Sequence, residues 1–309
     1  MTETTDNRLI SVAMATYNGE EFLRIQLDSI LQQTYPFIEL VITDDGSSDS
    51  TISIIKEYQQ KHANLFLYIN KENIGISKTF EHSIQKCNGA YIALADQDDI
   101  WMADKLSVLL NAFANEDAVY CDSLLVDENG HSIGINFKDT MNMRSYYSGA
   151  PFLLGNCVPG HTLLIKADFF KSILPFPRTV FYDRWTSFCA AAHNGIRFVD
   201  MPLVHYRQHD NNTIGIRKVQ KNKKKYATQT VRQRFDAKLQ ELKTFATAPG
   251  ISKETKDILE EMTALFKMGP SLKRSIFFFR NITTILTIKK RPYFRQILYC
   301  LKMFFRPNY

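Results

Sequence analysis

The chain is poor in the residues that mark secreted, fibrous or membrane-spanning proteins. Its five cysteines, Cys87, Cys121, Cys157, Cys189 and Cys300, are odd in number and widely spaced, with no C-x-x-C pair. That pattern speaks against a disulfide framework and a thiolate zinc site, and the expectation is buried thiols in a reducing compartment. Thirteen glycines and ten prolines among 309 residues exclude a collagen-like or Pro/Gly-rich disordered chain. Long apolar runs are missing as well. The most apolar late segment, residues 275–288, is interrupted by Arg280 and Asn281, and it falls short of the roughly 20 residues that a spanning helix needs. Residues 1–8 show no basic segment followed by an apolar one, so no secretory signal is read and a cytoplasmic location is expected. The fingerprint G-x-G-x-x-G is absent, which removes a dinucleotide-binding dehydrogenase.

What is present is an ordinary globular composition, 45% hydrophobic and 23% charged, with a strong charge asymmetry. Residues 1–216 hold 16 Lys and Arg against 26 Asp and Glu, a net of −10, whereas residues 217–309 hold 22 against 6, a net of +16. Short apolar runs at Leu9–Ala15, Ile38–Thr43, Leu65–Ile69 and Ala90–Ala95 alternate with helical stripes. Examples are Leu23, Leu27, Ile30 and Leu31, and then Leu106, Leu109, Leu110 and Phe113. This is the pattern of consecutive β-α units and an α/β fold with a largely parallel sheet. Shorter runs at 118–121, 162–166, 196–199 and 203–206, with a helix near 184–194, read as a mixed continuation of the same domain. Beyond Gly215 the pattern turns helical and basic, so a boundary is placed there: residues 1–215 form one domain and 216–309 a basic helical region.

Parallel strands bind ligands at their C-terminal ends. The three segments that follow the first, second and fourth runs are Ala15-Thr16-Tyr17-Asn18-Gly19, Asp44-Asp45-Gly46-Ser47-Ser48-Asp49 and Asp96-Gln97-Asp98-Asp99. Asp44 and Asp45 alone would read as a turn with a capping serine. A second aspartate cluster at another strand end needs compensation by a cation or by hydrogen-bond donors. Asp-x-Asp offers hard oxygen ligands to Mg2+ or Mn2+ alongside a substrate's phosphates. Phosphatases and nucleotidyltransferases present such pairs too, although the glycine-rich phosphate loop that a nucleotidyltransferase wants after the first strand is not here.

Six ordered blocks carry a resemblance: A-T-Y-N-G-E-E-F-L from Ala15, V-I-T-D-D-G-S-S-D-S-T from Val41, N-I-G-I-S-K from Asn73, A-D-Q-D-D-I-W from Ala95, F-Y-D-R-W from Phe181 and Y-R-Q-H-D-N-N from Tyr206. Together they resemble the family 2 glycosyltransferases, inverting enzymes of GT-A fold, over residues 8–216. The pairing of D-Q-D-D-I-W with Y-R-Q-H-x-N-N resembles the bacterial rhamnosyltransferase-like branch that assembles surface polysaccharides. The resemblance implies a nucleoside-diphosphate sugar donor, dTDP- or UDP-linked, and a Mn2+ or Mg2+ cofactor. It implies that Tyr17 stacks on the base, that Thr16 and Asn18 shape its loop, and that Asp45 accepts from the base N3–H. Asp96 reaches ribose or sugar, and Lys78 is a further donor contact or simply a solvated helix lysine. Asp98 ligates the metal, with His209 as a metal or diphosphate ligand. Asp183 is the general base, in a position where the family often has Glu-Asp and this chain has Tyr182-Asp183. Trp185 and His161 fall on the acceptor side, Trp185 as a sugar platform or a core residue.

The acceptor implied is a glycan or lipid-linked saccharide. Residues 262–309 contain ten Lys and Arg, no Asp or Glu, and repeated aromatics including Phe277, Phe278, Phe279, Phe294, Phe304 and Phe305. Basic amphipathic helices of this kind lie on anionic membranes, so peripheral attachment to the inner face of the plasma membrane is expected. Packing on the catalytic domain or in a dimer interface is the plainer alternative. Two rival functions are open to this sequence, a non-catalytic sugar-binding scaffold and a nucleic-acid binder drawn from Lys221 to Lys225; no nucleic-acid partner is expected, because the basic residues are interleaved with apolar runs.

Overall fold

The computed structural model describes residues 8–209 and 230–305. In chain order the first elements are β1 (Ile10–Thr16), α1 (Leu23–Leu31), β2 (Ile38–Asp44), α2 (Thr51–Lys61), β3 (Leu65–Ile69), α3 (Ile76–Lys86), β4 (Tyr91–Ala95), β5 (Ile100–Trp101) and α4 (Lys105–Asn111). Next come β6 (Ala118–Val126), β7 (Ser132–Asn136), α5 (Phe137–Thr140), β8 (Leu163–Lys166), α6 (Ala167–Ser172), α7 (Tyr182–Ala192) and β9 (Ile196–Arg207). The last are α8 (Val231–Phe245), α9 (Lys253–Met268), α10 (Leu272–Arg280), α11 (Ile282–Ile285) and α12 (Tyr293–Phe305). The two runs read at 196–199 and 203–206 are one continuous strand, and β5 and β7 are additions that their short or exposed sequences did not announce.

The sheet runs β3-β2-β1-β4-β8-β6-β9-β5. Its first four strands are parallel, while β8 is antiparallel to β4 and β6, and β5 to β9. β2 and β4 are buried along their whole length, as continuous apolar runs demand when helices cover both faces, whereas β3 buries only its first residue and forms the edge. From β1 the chain moves outward to β2 and β3 and then returns to the other side of β1 as β4. This reversal opens a crevice at the C-terminal ends of β1 and β4, the usual ligand position in such sheets.

The described residues separate into two compact units, one built from 8–124, 159–176 and 197–207, the other from 125–158, 177–196, 208–209 and 230–305. The boundary expected near residue 215 and the lysine run Lys221 to Lys225 lie outside the described residues. In the second unit, side-chain caps start three helices: Thr230 accepts from the Gln233 N–H, Ser252 from Thr255 and Ser271 from Arg274. Gly269, with φ at +83°, ends α9 in the left-handed region that glycine favours. Trp185, Phe188 and Phe245 stack at this unit's centre, and Phe266 meets Phe278 edge-on. Phe277 and Phe278 are buried, whereas Phe294, Phe304 and Phe305 are exposed, so the tail aromatics divide between core and surface. All five cysteines are buried thiols outside any disulfide. Among the described residues no helix is long and apolar enough to cross a membrane.

Candidate active site

Three loops at the crevice are stitched by side chains. Thr16 Oγ1 donates to Asp44 Oδ2 at 2.8 Å, and the same carboxylate accepts from the Ser47 N–H and hydroxyl. Asn18, in the left-handed region at φ +46°, donates its N–H to Ser47 Oγ and accepts from the Ser48 N–H. Gln97 crosses from the β4 loop: its Oε1 accepts from the Tyr17 N–H at 2.8 Å and its Nε2 donates to the Tyr17 carbonyl at 3.1 Å. The Tyr17 ring, 47% exposed, is left available to a planar partner. A Cβ on Gly19 would sit 2.4 Å from the Gln97 amide, so a larger residue here would have to push that side chain aside.

Asp45, expected from sequence to accept from the base, is 3% exposed. Its oxygens accept from Asn70 Nδ2 and from the Ile74 and Gly75 N–H groups, all at 2.9 Å, which anchors the start of α3. Lys78 pairs with Glu81 at 2.9 Å, one turn along that helix.

The β4 loop carries the second feature. His161 Nδ1 lies 3.4 Å from Asp96 Oδ2 and 3.5 Å from Asp99 Oδ2, and its Nε2 is 2.9 Å from Ser123 Oγ. One ligand atom from each of Asp96, Asp99 and His161 falls within 4.8 Å of the others. Asp99 is held by the pairing of β5 with β9: Arg207 N–H donates to its Oδ1 at 3.1 Å, while Arg207 Nε holds the Asp98 carbonyl at 2.9 Å. Burial, with the carboxylates of Asp98 and Asp96 nearby, pushes the Asp99 carboxyl well above its usual range. Its Oδ2 is buried without a hydrogen bond. An orphaned carboxylate oxygen facing a second carboxylate and an imidazole fits a hard divalent cation of the Mg2+ or Mn2+ type. Beneath the cluster, buried Lys105 donates to the His161 carbonyl at 2.7 Å, and its Nζ sits 3.1 Å from the centre of the Trp101 ring. Burial pulls this amine down to about 7.

His161, read from sequence as an acceptor contact, lies beside Asp96 and Asp99, and these three are the described residues whose ligand atoms come close enough together to share an ion. Asp98 and His209 are both half-buried and are not in the cluster. Asp183 stands in the first turn of α7 with its Oδ1 accepting from the Arg184 N–H at 2.6 Å. Trp185 is 5% exposed and packs against the Phe188 and Phe245 rings. Gln97, Ser123 and Lys105 were missed by sequence reading. Only Gln97 had a signal, its place inside the aspartate motif.

The glycosyl transferase family 2 profile matches residues 11–201. The chain belongs to that family. This family 2 glycosyltransferase is 31% identical over 222 residues to an uncharacterized glycosyltransferase of Rickettsia typhi, covering 69% of this chain and 68% of that one. Of other Rickettsia relatives it spans between 30% and 58% of the length. It is 28% identical to the dTDP-rhamnosyl transferase RfbG of Shigella flexneri, over 65% of this chain and 73% of that one. In fold it matches S. aureus TarS in complex with UDP-GlcNAc at a TM-score of 0.60 and 18% identity, covering 96% of this chain and 80% of that one. The mannosyltransferase PcManGT from Pyrobaculum calidifontis, in complex with GDP-Man and Mn2+, gives 0.56 at 17% identity over 97% and 86%. The family 2 glycosyltransferase thus has the GT-A-type mixed α/β fold, followed by C-terminal helices.

Proposed function

We propose that this enzyme transfers a sugar, with inversion, from a nucleoside-diphosphate sugar to a hydroxyl of a glycan or lipid-linked saccharide in surface-polysaccharide synthesis, working at the inner face of the plasma membrane. The observation that carries the reading is the Asp96–Asp99–His161 cluster at the crevice of β1 and β4, where the Tyr17 loop is also anchored. Tyr17 offers a face for the base, and Thr16 and Asn18 hold its loop through Asp44, Ser47 and Ser48. Asp96, Asp99 and His161 would hold Mn2+ or Mg2+, with Asp98 and His209 the alternative ligands by resemblance. Such a cation, when bound, offsets charge developing on the departing diphosphate. Asp183 is assigned as the general base that takes the acceptor's proton. A dTDP-rhamnose donor is favoured by the similarity to the Shigella dTDP-rhamnosyl transferase.

A donor screen by thermal shift, with and without Mn2+, followed by a transfer assay on labelled donor, tests this. dTDP-rhamnose should stabilise the protein more than UDP- or GDP-sugars. Asp99→Asn and His161→Ala should lose the Mn2+-dependent part, and full transfer in excess chelator would overturn the metal role. Asp183→Asn should bind donor normally while turnover falls by about 10²–10⁴-fold; unchanged turnover removes it as the base.

A further inference from the structure

Two helices of the second unit carry apolar stripes that their own packing does not use. On α12, Phe294, Leu298, Leu301 and Phe305 recur at steps of four, three and four, one face of a helix, and are between 45% and 74% exposed. The opposite face is engaged: Cys300 and Met303 are buried, Ser275 Oγ donates to the Cys300 carbonyl at 2.9 Å and Arg274 Nε to that of Met303 at 3.0 Å. α10 repeats the arrangement, burying Phe277 and Phe278 and exposing Leu272, Ile276 and Phe279. Polar substitution on the exposed positions would leave these packing contacts intact.

The charge around the stripes has one sign. From residue 262 to the C-terminus there are ten Lys and Arg and no acidic residue. Arg280 is taken up by Glu261 of α9, but Lys273, Lys290, Arg291, Arg295 and Lys302 are all exposed on or beside these helices. A second copy pairing through this face would bring like charges together, which costs binding energy. Nucleic acid would meet the cations and leave the leucines and phenylalanines in water. A surface with anionic headgroups above an acyl layer answers both features at once.

We infer that the outer faces of α10 and α12 form the surface by which this enzyme lies on an anionic lipid bilayer, the apolar stripe inserted at the headgroup boundary and the basic side chains at the phosphates. This deepens the membrane-side placement proposed above by naming the surface. It is independent of donor and metal.

The test is co-sedimentation of the full chain, without nucleotide or Mn2+, with vesicles of equal parts phosphatidylglycerol and phosphatidylcholine or of phosphatidylcholine alone. The chain should pellet with the first and not the second, and release as salt shortens the Debye length below about 5 Å. Arg295→Gln and Lys302→Gln should each lower partitioning about fivefold. The double variant Leu298→Asn/Leu301→Asn should lower it by about tenfold or more, with near-UV circular dichroism unchanged. Equal pelleting on both vesicles, no pelleting, or pelleting that all these variants retain would overturn the inference. So would a dimer in sedimentation equilibrium that the double variant dissolves. Transfer activity is read separately, so failure of either assay leaves the other conclusion standing.

Discussion

Gln97 shows how one side chain couples two loops that the sequence separates by 80 residues. Its amide bonds both backbone groups of Tyr17, so the loop after β4 sets the backbone that carries the exposed ring. Gly19 leaves room for that amide and for nothing more. Gly19→Ala should therefore displace Gln97, and Gln97→Ala should remove the same link. Each is expected to weaken nucleotide affinity, and the double variant should be little worse than either single one, with a coupling of roughly 1 kcal/mol. Titration calorimetry of the four proteins measures the cycle; additive losses would mean that the glycine and the glutamine act separately.

At the scale of elements, the helices are held by groups that belong to other segments. α3 is preceded by Gly75, which has no side chain to cap it, and Asp45 from the β2 loop fixes the approach to the helix by accepting from the Ile74 and Gly75 N–H groups. In the second unit, Arg184 of α7 donates to the Phe152 and Leu153 carbonyls and pairs with Glu241 of α8. Lys238, with only 14% of its side chain exposed, donates to the Leu153 carbonyl and pairs with Glu241 at 3.0 Å. Burial, aided by the Arg184 charge, lowers the Lys238 amine from 10.5 to about 8. Between those values the unfolded chain binds the proton that the folded chain has lost, so stability rises with pH across this window and the cost is fully present below pH 8. The gain is on the order of 3 kcal/mol. Lys238→Met leaves Glu241 its Arg184 partner and should flatten urea midpoints between pH 8 and 10.5 relative to the parent protein; an unchanged slope would place the titration elsewhere.

For the whole molecule, cation binding should appear as stability. Mn2+ alone at a hundred times its dissociation constant adds about 2.7 kcal/mol to a protein that binds it only when folded, a rise of several degrees in Tm by calorimetry. His161→Ala should abolish that rise; a rise it retains would assign the cation to other ligands. Much of this architecture was written locally. Apolar runs such as Leu65–Ile69 and stripes such as Leu23, Leu27 and Ile30 carry their own period, and polar clusters directly after strands land at the sheet's C-terminal edge whatever the rest of the chain does. For this reason the α/β class, the family blocks and the Tyr17 and aspartate loops were legible. Position within a cluster was not. Asp98 and Asp99 are adjacent and chemically identical in sequence, and only the pairing of β5 with β9, with Arg207 holding the Asp99 carboxylate and the Asp98 carbonyl, buries Asp99 toward His161 from a segment 62 residues later. Likewise Phe277 and Phe305 have the same side chain, and tertiary packing alone buries the first between helices and leaves the second on the surface. Periodicity is a property of neighbours along the chain, whereas burial and carboxylate pairing depend on which distant segments arrive.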